Sequence, residues 1–133
     1  MATITYTVTV ASGTNQYGTG NKFYINGAVS PDLNLVEGNT YIFDQSDSTN
    51  GTGGGHPLRF STSANNSPSA PYTTGVTTAG TPGSSGAYTQ IVVATYAPTL
   101  YYYCSNHSGM GATAFTPAAG SISNQATFES TFT

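Results

Sequence analysis

Apart from its initiator, this chain has a single methionine, and it has one cysteine and two histidines in all. Cys104, His107 and Met110 fall within seven residues, in the string CSNHSGM, and His56 stands 48 residues before the cysteine. Taken singly, none of these means much. A lone histidine is more often hydrogen-bonded or on the surface than a ligand, a lone buried cysteine behaves as a small hydrophobe, and a solitary methionine is usually core filler. Together they form a donor set. One thiolate, two imidazoles and a thioether suit a copper ion that cycles between Cu(I) and Cu(II). With one cysteine there is no internal disulfide, so the thiol needs another role.

The elements that must position these residues read as strands. Ile4, Tyr6, Val8 and Val10 alternate with threonines, the pattern of a half-buried strand. Further strands are expected at Lys22–Asn26, Leu33–Val36, Thr40–Gln45, Pro57–Ser61, Tyr88–Ala94, Leu100–Cys104 and Ala112–Thr116. Leu100–Cys104 delivers the thiol at its end, a tight loop returns His107, and His56 approaches from the start of another strand. Alternation places Tyr102 on the core side with Cys104 and sends Tyr101 and Tyr103 outward, where Tyr103 serves as packing, interface or an electron route. Turn-rich pieces fall at Ser12–Gly20, Glu37–Asn39 and Ser46–Gly55. The Gly51–Gly55 run lacks the Lys-Ser/Thr ending of a phosphate loop and reads as a flexible turn that lets His56 approach. Asp44 and Asp47 read as turn formers. Thr62–Ser85 is too long for a bare turn and is either an irregular excursion or holds a short extra element. No segment has a helical period. The fold class expected is all-β, a Greek-key β-sandwich of seven to eight strands.

Composition narrows the partners. The 133 residues are the size of one domain, and only 5% are charged against about 25% in ordinary soluble proteins. Apolar residues make up 37%, but a net charge of −3 with ten tyrosines and six phenylalanines does not fit a disordered chain. Two basic residues, Lys22 and Arg59, cannot neutralise a run of phosphates, so no nucleic-acid binding is expected, and an anionic membrane surface has the same lack of footing. No apolar run is long enough for membrane insertion, and MATITYTVTV has neither the charged nor the apolar region of a signal peptide. Residues 1–116 read as one domain. Residues 117–133 read as a tail, in which Ala126, Phe128, Ser130 and Phe132 alternate as an edge strand or linker would. Three Asn-x-Ser/Thr triplets occur, at Asn50, Asn65 and Asn106, and one lies inside the candidate metal loop, so the pattern alone proves little.

LYYYCSNHSGMG resembles the aromatic–Cys–Ser/Thr–x–His loop of the plastocyanin–amicyanin branch of the cupredoxins. LNLVEGNTYIFDQ and GGHPLRF are similar to the hairpin before that family's first ligand and to the segment that supplies it. The resemblance covers roughly residues 22–116. It implies a type 1 blue copper site, one copper per chain, with His56, Cys104 and His107 as equatorial ligands. In the amicyanin-like spacing the axial methionine falls six residues after the cysteine, on Met110. In the plastocyanin-like spacing it falls eight after, on Ala112, which would leave the copper nearly trigonal. Met110 is favoured as the one thioether within reach. Many members carry Asn after the first histidine, whose N–H donates to the sulfur. Here that residue is Pro57, which has no N–H, so the sulfur's hydrogen bond is expected from Asn106.

Two functions follow as expectations. The first is a one-electron carrier with an unknown redox partner and no catalysis, since no general base, open position or second metal motif is evident. The second is a structural or adhesive module of a virion or extracellular appendage, in which the metal is mainly a staple. KFYING…YIFDQSDS…HPLRFS…YYYCSNHSGMG is similar to modules of marine phage and cyanobacterial surface proteins. That similarity implies an extracellular, periplasmic or virion-associated setting and neighbouring modules in a larger assembly.

Overall fold

The computed structural model describes residues 1–64 and 70–120. Among these residues eleven β-segments run in order: β1 Thr3–Asn15, β2 Gly18–Ile25, β3 Ala28–Val29, β4 Leu33–Asn34, β5 Thr40–Asp44, β6 Leu58–Ser61, β7 Pro71–Tyr72, β8 Val76–Ala79, β9 Tyr88–Val92, β10 Leu100–Cys104 and β11 Ala112–Phe115. They form two open sheets, ordered β3-β2-β1-β5-β9-β8 and β4-β11-β10-β6-β7. Pairing is antiparallel except for β1 with β5 and β11 with β4.

Alternation along each strand builds the space between the sheets. Val8, Val10, Phe23, Ile25, Phe43 and Ile91 of the first sheet are buried, as are Leu58, Phe60, Leu100 and Tyr102 of the second. Phe43 meets Phe60 edge-on with ring centroids 5.5 Å apart, and Phe23 lies 6.5 Å from Tyr102. The Tyr102 hydroxyl donates to the Pro31 carbonyl at 2.6 Å, so its polar end is satisfied within the core.

The strand count exceeds the seven to eight expected, and the excess has local causes. Ser12–Gly20 is not a long turn. β1 and β2 continue pairing to Asn15↔Gly18, which leaves only Gln16 and Tyr17 to turn, and the hydroxyls of Thr14 and Thr19 meet at 2.9 Å across the pair. The Thr62–Ser85 excursion carries β7 on one sheet and β8 on the other. Ser46–Gly55 contains a short 3-10 segment, Ser48–Gly54, with Asp47 as its N-cap accepting from the Thr49 N–H. The Asn65 triplet and the alternating residues 126–132 lie outside the described residues. Of the expected tail, the Pro117 carbonyl accepts the Glu37 N–H at 3.0 Å.

Candidate metal centre

β6 and β10 are neighbours, with Cys104 opposite Leu58, two residues beyond His56. The sheet ladder therefore brings the thiol beside the first histidine before any loop is considered. Loop residues 105–111 then fold back. His107 Nδ1 lies 3.5 Å from Cys104 Sγ, and His56 Nδ1 lies 3.6 Å from it on another side. The two imidazole rings have centroids 4.5 Å apart. One donor atom from each of the three residues falls within 4.8 Å of the others.

Met110 is fully buried and joins this cluster. The β10–β11 register separates it from the alternative. Tyr102 pairs with Ala112 and Leu100 with Ala114, which places Ala112 opposite Tyr102 rather than Cys104, while Met110 lies in the loop before β11.

The donor set fits a metal on geometry as well as chemistry. A thiolate at about 2.3 Å and an imidazole at about 2.0 Å from one tetrahedral ion stand about 3.5 Å apart, close to the separations of 3.5 and 3.6 Å found here. His56 and Cys104 are buried, whereas His107 keeps a partly exposed edge.

Hydrogen bonds hold these residues in place. Gln45, fully buried, donates to the His56 carbonyl at 2.6 Å and to Asn50 Oδ1 at 3.0 Å, and accepts the Leu58 N–H at 3.0 Å. Asn50 donates to the Val8 carbonyl, and its own carbonyl accepts the His56 N–H at 2.8 Å. With its side chain committed and buried, Asn50 is no acceptor for a glycan. Thr52 Oγ1 gives its one proton to the Thr49 carbonyl at 2.9 Å and lies 3.3 Å from His56 Nε2. That hydroxyl can only accept from the ring, which puts the imidazole proton on Nε2 and leaves the Nδ1 lone pair facing the sulfur.

Around the thiol, the backbone N–H groups of Asn106 and His107 lie close enough to favour the thiolate. Pro57 contributes its carbonyl, which accepts the Ser105 N–H at 3.1 Å, and Asn106 Nδ2 donates to the Gly55 carbonyl at 3.1 Å. Burial pushes the Cys104 thiol up, and these N–H groups and nearby Arg59 pull it part of the way back. Burial, then the neighbouring His107, pushes His56 below its usual value.

Three supports were not legible in advance. Lys22, buried, donates its ammonium to the Gly109 carbonyl at 2.7 Å. Asn15 Nδ2 reaches the same carbonyl at 2.9 Å, and Ser30 Oγ donates to the Met110 carbonyl at 2.9 Å. Lys22 carried a faint signal, as one of two basic residues in the chain placed among alternating apolar residues. Tyr103, expected to point outward as packing or interface, is packed there and only 4% exposed. The reason is the β7–β8 excursion, which covers that side of β10.

No protein-family model, curated protein or solved structure matches the chain.

Proposed function

We propose that this protein is a cupredoxin-like, Greek-key copper protein whose one metal ion is held by His56, Cys104 and His107 with Met110 as a weak fourth donor, and that it carries single electrons without catalysis. Copper would supply the one-electron redox couple. The chain supplies rigidity. The observation that carries this reading is that hydrogen bonds to protein groups already fix the donors. Gln45 and Asn50 hold the His56 backbone, Thr52 bonds its ring, and the Asn106 and His107 N–H groups lie near the sulfur and favour the thiolate. Donors fixed in this way change little between oxidation states. They also leave a metal staple little to add, which favours the carrier over the structural module. The partly exposed edge of His107 is where a redox partner would approach. An extracellular, periplasmic or virion-associated setting belongs to the same reading.

The test is titration of the metal-free protein with Cu(II). An intense visible thiolate-to-copper band is expected in the wild type, absent in Cys104→Ala. No band, or one that survives the substitution, would reject the assignment. Reversible voltammetry with fast self-exchange supports the carrier. Slow exchange with a large rise in Tm on loading supports the staple.

A further inference from the structure

A cavity of about 260 Å³ lies beside β6 and β10, on the side away from the candidate metal centre. Arg59 and Tyr103, cross-strand partners, form one wall, and Tyr72, Thr73, Val76 and Thr78 of the β7–β8 excursion complete it. The cavity is small beside those that hold drug-sized ligands. Its lining, which also includes Phe60 and Pro71, combines three aromatic rings and two aliphatic residues with one cation and several hydroxyls.

The polar groups are incompletely used. Arg59 Nη1 donates to the Leu58 carbonyl at 2.9 Å and to Thr89 Oγ1 at 3.2 Å. Among the described residues its Nε and Nη2 donate to no protein group. Tyr103 is buried to 4% exposure, yet its hydroxyl has no protein partner among the described residues. That hydroxyl is not sealed in, since no fully buried side-chain polar atom lacks a partner among the described residues. Burial pushes Arg59 below its usual value, and among the described residues the ionisable groups that bear on it are Tyr103 and Cys104. The guanidinium is half-buried and has no counter-charge among the described residues, and an anion presenting two oxygens would match the donors of its free edge.

We propose that this cavity binds a small carboxylate with an apolar body, its two oxygens on the free edge of Arg59 and the Tyr103 hydroxyl and its body against Tyr72 and Val76. Carboxylate and guanidinium match as a fork, which a spherical anion would not exploit. None of these residues is a proposed metal ligand, although the Arg59 charge acts on the Cys104 thiol.

The experiment uses the intact chain and sodium benzoate as the probe, followed by calorimetry and by backbone amide shifts. Saturable binding is expected, with shifts concentrated at residues 59, 72–78 and 103. Arg59→Gln should weaken binding by about tenfold or more. Arg59→Lys, which keeps the charge but loses the fork, should fall between the two. Tyr103→Phe keeps the ring and should weaken binding about threefold to tenfold. It serves as the decisive variant if Arg59→Gln fails to fold. No saturable binding, shifts elsewhere on the molecule, or equal affinity for uncharged benzamide would each overturn the proposal. So would affinity unchanged in the folded variants.

Discussion

At the residue scale, the donors and their immediate supports make separable contributions. Met110 has two roles, as packing in the core and as the proposed axial donor, and two substitutions part them. Met110→Leu nearly conserves volume and should cost less than about 1.5 kcal/mol, whereas Met110→Ala opens a cavity and should cost about 2–5 kcal/mol. If the thioether is a ligand, both variants should shift the copper spectrum and potential alike despite their unequal stability. A Leu variant with wild-type spectrum and potential would remove Met110 from the site. Thr52 offers the complementary case. Its own side chain is exposed, but its hydroxyl serves the buried His56 ring, so Thr52→Val should cost about 1–3 kcal/mol and leave the fold intact. It should also weaken metal binding by about tenfold or more, because His56 loses the acceptor that fixes its proton on Nε2. Competition titration with a chelator measures this, and Thr52→Ser should restore affinity. Unchanged affinity in the valine variant would mean the ring is oriented by packing alone.

At the scale of elements, β6 and the 3-10 segment before it act as one unit through Gln45. Its side chain serves the His56 carbonyl, the Leu58 N–H and Asn50 Oδ1 at once. Gln45→Leu would strand three buried polar groups, and each unsatisfied group costs about 1–3 kcal/mol. A loss of at least about 3 kcal/mol is expected in denaturant unfolding, with reduced metal affinity because His56 is released as well. A loss under about 1 kcal/mol would show that water or a shifted backbone replaces these bonds. Sequence periodicity could not have shown this role. The donors were legible because they are the chain's rare chemical types, and the strands that carry them were legible because Val8, Phe43, Tyr102 and their neighbours alternate. Gln45 reads only as the end of a strand, and Asn50 only as a turn residue. Their importance comes from long-range pairing, which no local pattern encodes. β7 and β8 were hidden for another reason: each pairs with its neighbour in sequence, β6 or β9, but their residues lie among turn formers and show no clear alternation. The buried state of Tyr103 follows from that pairing.

At the scale of the whole molecule, the low charge of the chain makes its pH response depend on few groups. The buried imidazole of His56 is central to the acid side of the metal-free protein. Its folded pKa lies below the usual value of about 6.5, through burial first and His107 second. As pH falls past that value, the unfolded chain takes up a proton on this ring before the folded chain does. Stability therefore falls as protons favour the unfolded state. Lys22, though also depressed by burial, starts from about 10.4 and drives no change between neutrality and mild acid as long as it stays charged there. Asp47, lowered by its bonds to Thr49, loses stability in the same direction but only near the carboxylate range. Denaturant midpoints of the metal-free protein should therefore decline from about pH 7.5 to about pH 5.5, and His56→Gln should flatten that decline. Metal loading should steepen it, because bound metal needs a deprotonated thiol and neutral imidazoles, and protons compete for all three. Equal slopes in wild type and His56→Gln would show that some other group governs the acid response. A loaded protein no more acid-sensitive than the metal-free one would count against His56, Cys104 and His107 sharing a metal ion.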